Sequence, residues 1–170
     1  MEACRDEVYD AAWRLNQEAI ISADHRRLKG RSKAGTMVSE VRKIIYITDG
    51  GNKTGLGHVY QSITFAKTLV TVAEIFFLTK SDETVVNKIK DAGFEIMQVS
   101  SDSEILTFIK ENRPDIVIID KIDVAEELAR SIKNETPTKL VIFTNLTNAN
   151  QFADIAVTAD IGSNFKNVCY

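Results

Sequence analysis

From Lys43 to Val157 the chain alternates short apolar runs with stretches patterned for helices. That alternation limits the folds open to it more than any other feature. The runs are 43–48, 74–79, 94–99, 115–120, 139–144 and 154–157, and most are rich in β-branched residues. Asp115-Ile116-Val117-Ile118-Ile119-Asp120 is the clearest. It is apolar without alternation, as expected of a strand covered on both faces. Strands separated by helices of about ten residues pair in parallel through right-handed crossovers. The expected architecture is α/β, an open, doubly wound, mostly parallel sheet.

The helices between the strands carry their own signals. Val59, Ile63, Ala66 and Val70 mark the face of the first. Thr84 to Ala92 forms the second, with Val85, Val86 and Ile89 inward and Gly93 as its stop. Ser101-Asp102-Ser103-Glu104 is a capping box in front of Ile105, Phe108 and Ile109, and that helix ends before Pro114. Asp123 is expected to cap the next helix, with Val124, Leu128 and Ile132 on one face.

Residues 1–40 are patterned differently. Val8, Ala12, Leu15 and Ala19 recur at helical spacing, widened by Tyr9, Trp13 and Ile20, so an amphipathic helix is expected. The basic run from His25 to Lys33 contains one glycine, with a second at Gly35, and reads as a solvated linker. It lacks the interleaved aromatics of single-strand binders. The expected domains are a helical extension with its linker over 1–40 and a Rossmann-like domain over 41–170.

Composition narrows the function classes. A net charge of −3 and a pI near 5.5 argue against a nucleic-acid partner. Cys4 and Cys169 form neither a disulfide framework nor a metal-ligand spacing. The charged start has no signal-peptide core, and the apolar runs are far below the ~20 residues of a membrane helix. A cytoplasmic location without a membrane span is the expectation, and the three Asn-x-Thr sequons are read as incidental.

In doubly wound sheets ligands sit outside the carboxyl ends of the strands. This selects 49–58, 79–82, 100–103, 120–123 and 144–147. The first segment, Asp49-Gly50-Gly51-Asn52-Lys53-Thr54-Gly55-Leu56-Gly57-His58, holds four of the chain's eight glycines and opens a helix. A helix N-terminus favours an anion there by roughly 0.3–1 kcal/mol. Two standard phosphate motifs fail. Lys53 precedes Gly55, whereas an ATPase-type phosphate loop needs lysine after the glycine. The third position of G-x-G-x-x-G is Tyr60, and no acidic residue follows at the required distance. His58, in the first helical turn, has the chemistry of a general base, although its position is equally that of a histidine that only bonds the turn.

The stretch Asp49-Gly50-Gly51, Gly55-Leu56-Gly57-His58 and Ala66-Lys67-Thr68-Leu69 resembles the first motif of the sugar-nucleotide hydrolases of pseudaminic acid biosynthesis and of related spore-coat polysaccharide proteins. Ile118-Ile119-Asp120 resembles that family's strand ending in D-x-Y, and Asp154 to Val157 its closing strand. The resemblance covers about residues 43–165. It implies the N-terminal half of a glycosyltransferase-B-like enzyme with two Rossmann-like halves, cleaving a UDP-linked acetamido-deoxy sugar by water attack without metal or other cofactor. By the same resemblance His58 is catalytic, positioning or activating the water. Gly55 and Gly57 let the backbone approach the sugar and diphosphate, and Asp49, Gly50, Gly51 and Asp120 line the crevice.

Three residues depart from the family pattern. Gln61 replaces an arginine, Ile122 the tyrosine of D-x-Y, and the neutral Asn145 stands near an acidic pair. The family's second half supplies most nucleotide contacts, so little activity is expected of this chain alone. The alternatives are a non-catalytic sugar-nucleotide-binding or regulatory module, or a fragment of a two-domain glycosyltransferase. The implied partners are a UDP-sugar and either a second Rossmann-like domain or another copy of the chain.

Overall fold

The computed structural model describes residues 41–51, 55–143, 145–158 and 168–169. The helix and basic linker expected over 1–40 lie outside the described residues.

The order of elements is β1 (Arg42–Thr48), α1 (Gly57–Leu69), β2 (Ala73–Thr79), α2 (Glu83–Asp91), β3 (Glu95–Gln98), α3 (Asp102–Asn112), β4 (Ile116–Asp120), α4 (Glu126–Glu135), β5 (Lys139–Phe143), a 3-10 helix (Asn148–Phe152), β6 (Ile155–Val157) and β7 (Val168–Cys169). The six expected strands are present, and β7 adds a seventh that the sequence pattern did not indicate. All strand pairs are parallel, in the order β3-β2-β1-β4-β5-β6-β7. This is the Rossmann-like, doubly wound arrangement.

Alternate residues of the central strands pack on opposite faces of the sheet. Ile45, Ile47, Val117, Ile119, Leu140 and Ile142 are buried with Ile105 and Ile109 of α3 and Leu128, Ala129 and Ile132 of α4. The intervening positions meet α1 through aromatic contacts. Tyr46 stacks on Phe77 with centroids 5.1 Å apart, and Phe65 of α1 lies against Tyr46 and Phe143.

Helix ends follow the local chemistry with two exceptions. Asp82 accepts from the Thr84 N–H at 3.0 Å, and Gly93, at φ +91°, closes the C-terminal end of α2. Ser101 accepts from the Glu104 N–H at 3.2 Å. The Glu104 carboxylate reaches back to Ser100, one residue beyond the usual capping-box partner. Arg113 ends α3 in a left-handed conformation, φ 46°, directly before Pro114.

The first exception is Asp123, which does not cap α4. That helix starts at Glu126 with Ala125 at the cap position and no side-chain cap. The Val124 N–H instead donates to Asn145 Oδ1 at 3.0 Å, which holds the segment out of the helix. The second is Val70, which is exposed at the C-terminal cap of α1 and not on its buried face. Among the described residues no helix is long and apolar enough to cross a membrane.

Candidate functional site

The chain steps from β1 to β2 and β3 on one side, and enters β4, β5 and β6 on the other. The connections leaving the carboxyl ends of β1 and β4 therefore diverge, and open a crevice between them. Thr48 and Asp120, the last residues of these strands, are register partners. The glycine-rich turn follows one and Lys121 the other.

The glycines of that turn have separate reasons for being glycine. Gly51 and Gly55 exchange backbone hydrogen bonds of 3.0 and 2.8 Å, closing a small loop, and Gly55 sits at φ +79°. A Cβ on Gly50 would lie 2.7 Å from Val59 Cγ2 and 2.9 Å from the Gly55 carbonyl. Gly57 has no such reason. Its φ lies outside the left-handed region, and a Cβ there would point into open space. It is the first residue of α1, whose N-terminus carries no side-chain cap.

His58 follows. Its Nδ1 lies 2.8 Å from Asp120 Oδ1. The other carboxylate oxygen, Oδ2, accepts from Ser62 Oγ at 3.2 Å. His58 and Ser62 are one helical turn apart on the same face of α1, so one carboxylate clasps two consecutive turns of the helix to the end of β4. Thr48 Oγ1 donates to the Asp120 backbone carbonyl at 3.2 Å. Asp120 and Ser62 are fully buried, whereas the His58 side chain keeps 18% of its surface exposed.

The electrostatics follow from this placement. The hydrogen bond to Asp120 raises the His58 pKa above its ordinary value, with added attraction from the Asp120 and Asp123 charges; partial burial opposes them. Burial pushes the Asp120 carboxyl up, and its bonds to His58 and Ser62 pull it back. Above the pKa of His58 the neutral imidazole donates its Nδ1–H to Asp120. That fixes the tautomer whose Nε2 carries a lone pair, and Nε2 has no hydrogen bond among the described residues. A histidine oriented by a buried carboxylate is an arrangement suited to accepting a proton.

Asp49 has a different place. Its Oδ2 is 2.9 Å from Lys121 Nζ, and its Oδ1 accepts from the Lys80 N–H at 2.7 Å and Thr79 Oγ1 at 3.2 Å. Burial works against ionisation of Asp49. The charge and hydrogen bond of Lys121, with the other donors, outweigh it and hold the carboxyl below its ordinary value. Both oxygens of Asp49 are thus spent bracing the turn against β2 and β4. Gly50 N–H adds a 2.8 Å bond to Ser81 Oγ.

Reading the sequence picked out His58 and Asp120 separately and missed Ser62 and Lys121. Ser62 left one trace, a polar residue on the apolar stripe beside Val59, Ile63 and Ala66. Lys121 left none. Of the three departures, Asn145 is a buried tie. Its Nδ2 donates to Thr147 and to Asn150 Oδ1, and its Oδ1 holds the Val124 N–H. Ile122 is 47% exposed on the loop after β4. Among the described residues no group of three His, Cys, Asp or Glu side chains is placed to hold a metal ion.

With this geometry in view, similarity to known proteins separates fold from function. No protein-family model matches the chain. MurG of Acinetobacter baumannii superimposes with a TM-score of 0.52 at 14% identity, over 69% of this chain and 41% of that one. The HepE protein of Anabaena, solved with UDP and glucose, gives 0.51 at 13%, over 68% and 37%. The fold is that of a glycosyltransferase-B Rossmann-like domain.

An uncharacterized protein of Methanocaldococcus jannaschii is 44% identical over 131 residues, 75% of this chain and 27% of that protein. The spore coat polysaccharide biosynthesis protein SpsG of Bacillus subtilis is 26% identical over 118 residues, 67% of this chain and 34% of that protein. The UDP-2,4-diacetamido-2,4,6-trideoxy-beta-L-altropyranose hydrolase of Campylobacter jejuni is 25% identical over 103 residues, 59% and 36%. The alignments thus span about a quarter to a third of each of these relatives.

Proposed function

We propose that this domain is the water-activating side of a nucleotide-sugar enzyme, with His58 as general base and a UDP-linked acetamido-deoxy sugar as substrate. The observation that carries the reading is the 2.8 Å contact between His58 Nδ1 and the buried Asp120, which leaves Nε2 as the basic nitrogen. Its location at the topological switch point supports it. So do the hydrolase and spore-coat relatives.

In this reading water gives a proton to Nε2 as its oxygen bonds to the anomeric carbon. The bond from that carbon to the diphosphate oxygen breaks, and UDP leaves with the electron pair. The uncapped start of α1 and the bare backbone of Gly57 receive the diphosphate or the sugar. Gly50, Gly51, Gly55 and Asp49 shape that surface from behind. The remaining nucleotide contacts fall to a second Rossmann-like domain or another copy of the chain. Transition-state stabilisation needs both walls of a cleft, so the 170-residue chain by itself has little turnover.

A second reading is a sugar-nucleotide-binding or regulatory module without chemistry. The neutral Gln61 and the exposed Ile122, where the family carries arginine and tyrosine, favour it.

The test is ligand-induced thermal stabilisation of the full chain with UDP, UDP-GlcNAc and a free acetamido sugar. A ligand at 100 times its Kd stabilises the folded state by about 2.7 kcal/mol. The expected result is a shift with UDP-GlcNAc that is lost in His58→Ala. No shift with any of the three favours a fragment, or a module whose ligand site needs a second domain. A shift that survives in His58→Ala favours the binding module.

A further inference from the structure

Ser62 and Tyr46 lie behind the dyad, and nothing in the proposed chemistry requires them. Ser62 is a fully buried polar side chain on the apolar face of α1, and Tyr46 has 1% of its surface exposed. Each has a role in the same chain of contacts. Asp120 is closed off from solvent, so every donor to its carboxylate comes from the protein. His58 serves Oδ1, and Ser62 serves Oδ2 at 3.2 Å. The Tyr46 phenol neighbours the Ser62 hydroxyl. Burial, and then the Asp120 charge, push the Tyr46 phenol well above its ordinary value, so it keeps its proton.

A phenol that keeps its proton in an apolar core needs an acceptor. With its own hydrogen given to Asp120, the Ser62 oxygen is free to accept one. Donors aligned head to tail polarise one another.

We propose that Ser62 is the positioning residue of the His58–Asp120 dyad and that the Tyr46 phenol, by donating to the Ser62 oxygen, sets the direction of its hydroxyl. The buried chain Tyr46–Ser62–Asp120–His58 then decides which imidazole nitrogen carries the proton. Ser62 touches no substrate; it acts through Asp120, by keeping the carboxylate ionised and its Oδ1 aimed at Nδ1. The charged or titratable groups facing His58 are Asp120 from β4 and Asp123 from the loop after it, with Tyr46 of β1 one contact further back. The inference deepens the reading of His58 as a base, but its test needs no substrate and no second domain.

The experiment is a nitrogen-15 NMR titration of the full chain. The sequence has two histidines, so the His58 signals are assigned by their loss in His58→Ala. In the native chain neutral His58 is expected as the Nδ1–H tautomer, with its midpoint above that of a free imidazole. Ser62→Ala leaves Asp120 with one donor in a buried site, which favours its protonated form and removes the charge facing His58. The midpoint should fall toward the ordinary histidine value, and the Nε2–H tautomer should appear. Tyr46→Phe keeps the stack on Phe77 and should move both readouts in the same direction by less. Ser62→Thr, which keeps the hydroxyl, should restore them.

An unchanged midpoint and tautomer in folded Ser62→Ala would overturn the proposal and leave Ser62 as packing alone. Should Ser62→Ala lose its folded spectrum, Tyr46→Phe decides: a shift in both readouts supports the chain of contacts, and no shift overturns it. A positive titration with no UDP-sugar binding would leave the positioning role standing and show that this chain alone does not hold the nucleotide sugar.

Discussion

His58 Nδ1 lies 2.8 Å from Asp120 Oδ1, and 62 residues separate them in the chain. The pair joins the first turn of α1 to the last residue of β4, so it is a tertiary bond as well as a chemical one. Removing His58 leaves a fully buried carboxylate short of a donor, which costs about 1–3 kcal/mol. His58→Ala should keep the fold and lower stability by that amount. Residues in direct contact are coupled, typically by about 0.5–3 kcal/mol. Urea denaturation of His58→Ala, Asp120→Ala and the double variant should show a combined loss smaller than the sum. Strict additivity would mean that the pair does not form.

The pair also sets a pH dependence. The folded-state pKa of His58 lies above its ordinary value of 6.5. Its stabilising contribution is therefore full below about 6.5 and is lost as pH rises through the folded value. The gap in melting temperature between the native chain and His58→Ala should be wider at pH 6 than at pH 9. A gap that widens with pH would contradict the sign.

Asp49 titrates in the opposite sense. Its folded pKa is held below the ordinary 3.8, chiefly by Lys121 acting against the effect of burial. Its contribution is present above about 3.8 and is lost as pH falls through the folded value. Asp49→Asn should destabilise the chain at pH 7, and the difference should shrink on acidification below the folded value. An effect independent of pH would assign the role of Asp49 to shape and not to charge.

Two glycines of the turn should respond in opposite ways. Gly50→Ala places a methyl 2.7 Å from Val59 Cγ2 and 2.9 Å from the backbone of Gly55. Overpacking of this kind costs typically about 1–3 kcal/mol. Gly57→Ala meets nothing, and lies in a helix where alanine is favoured by up to about 1 kcal/mol. It should melt at the native temperature or higher while losing the UDP-GlcNAc shift. A Gly57→Ala variant that still shows the full shift would place the ligand elsewhere.

Asn145 tests whether an acidic residue can stand at its position in this chain. Asparagine donates there to Thr147 and Asn150 and accepts from the Val124 N–H. Asn145→Asp turns the donor side into a second acceptor inside a buried site. A loss of at least about 2 kcal/mol in chemical denaturation is expected. A native-like midpoint would show that the loops after β4 and β5 do not depend on this tie.

The sequence alone determined what depends on near neighbours. The β-branched run 115–120, the Ser101 cap and the Gly93 stop are local choices, and each is visible in a window of a few residues. Repeated strand–helix alternation then selected a parallel, doubly wound sheet, because crossover handedness leaves few other topologies. It pointed to the carboxyl ends of the strands, and so to His58 and Asp120 as separate candidates.

Only the tertiary structure decided that the two are partners. That pairing needs β4 beside β1, with Thr48 in register with Asp120. A one-residue slip would turn the Asp120 side chain to the opposite face of the sheet. The pairing of Lys121 with Asp49, 72 residues apart, is of the same kind. The expectation that Asp123 caps α4 failed for this reason as well. The competing bond comes from Asn145, 21 residues from Val124 and brought beside it only when β5 pairs with β4. Caps, turns and strand runs are settled by short-range sterics and hydrogen bonding. The roles of Ser62, Lys121 and Asn145 are settled by contacts that exist only once the sheet has assembled.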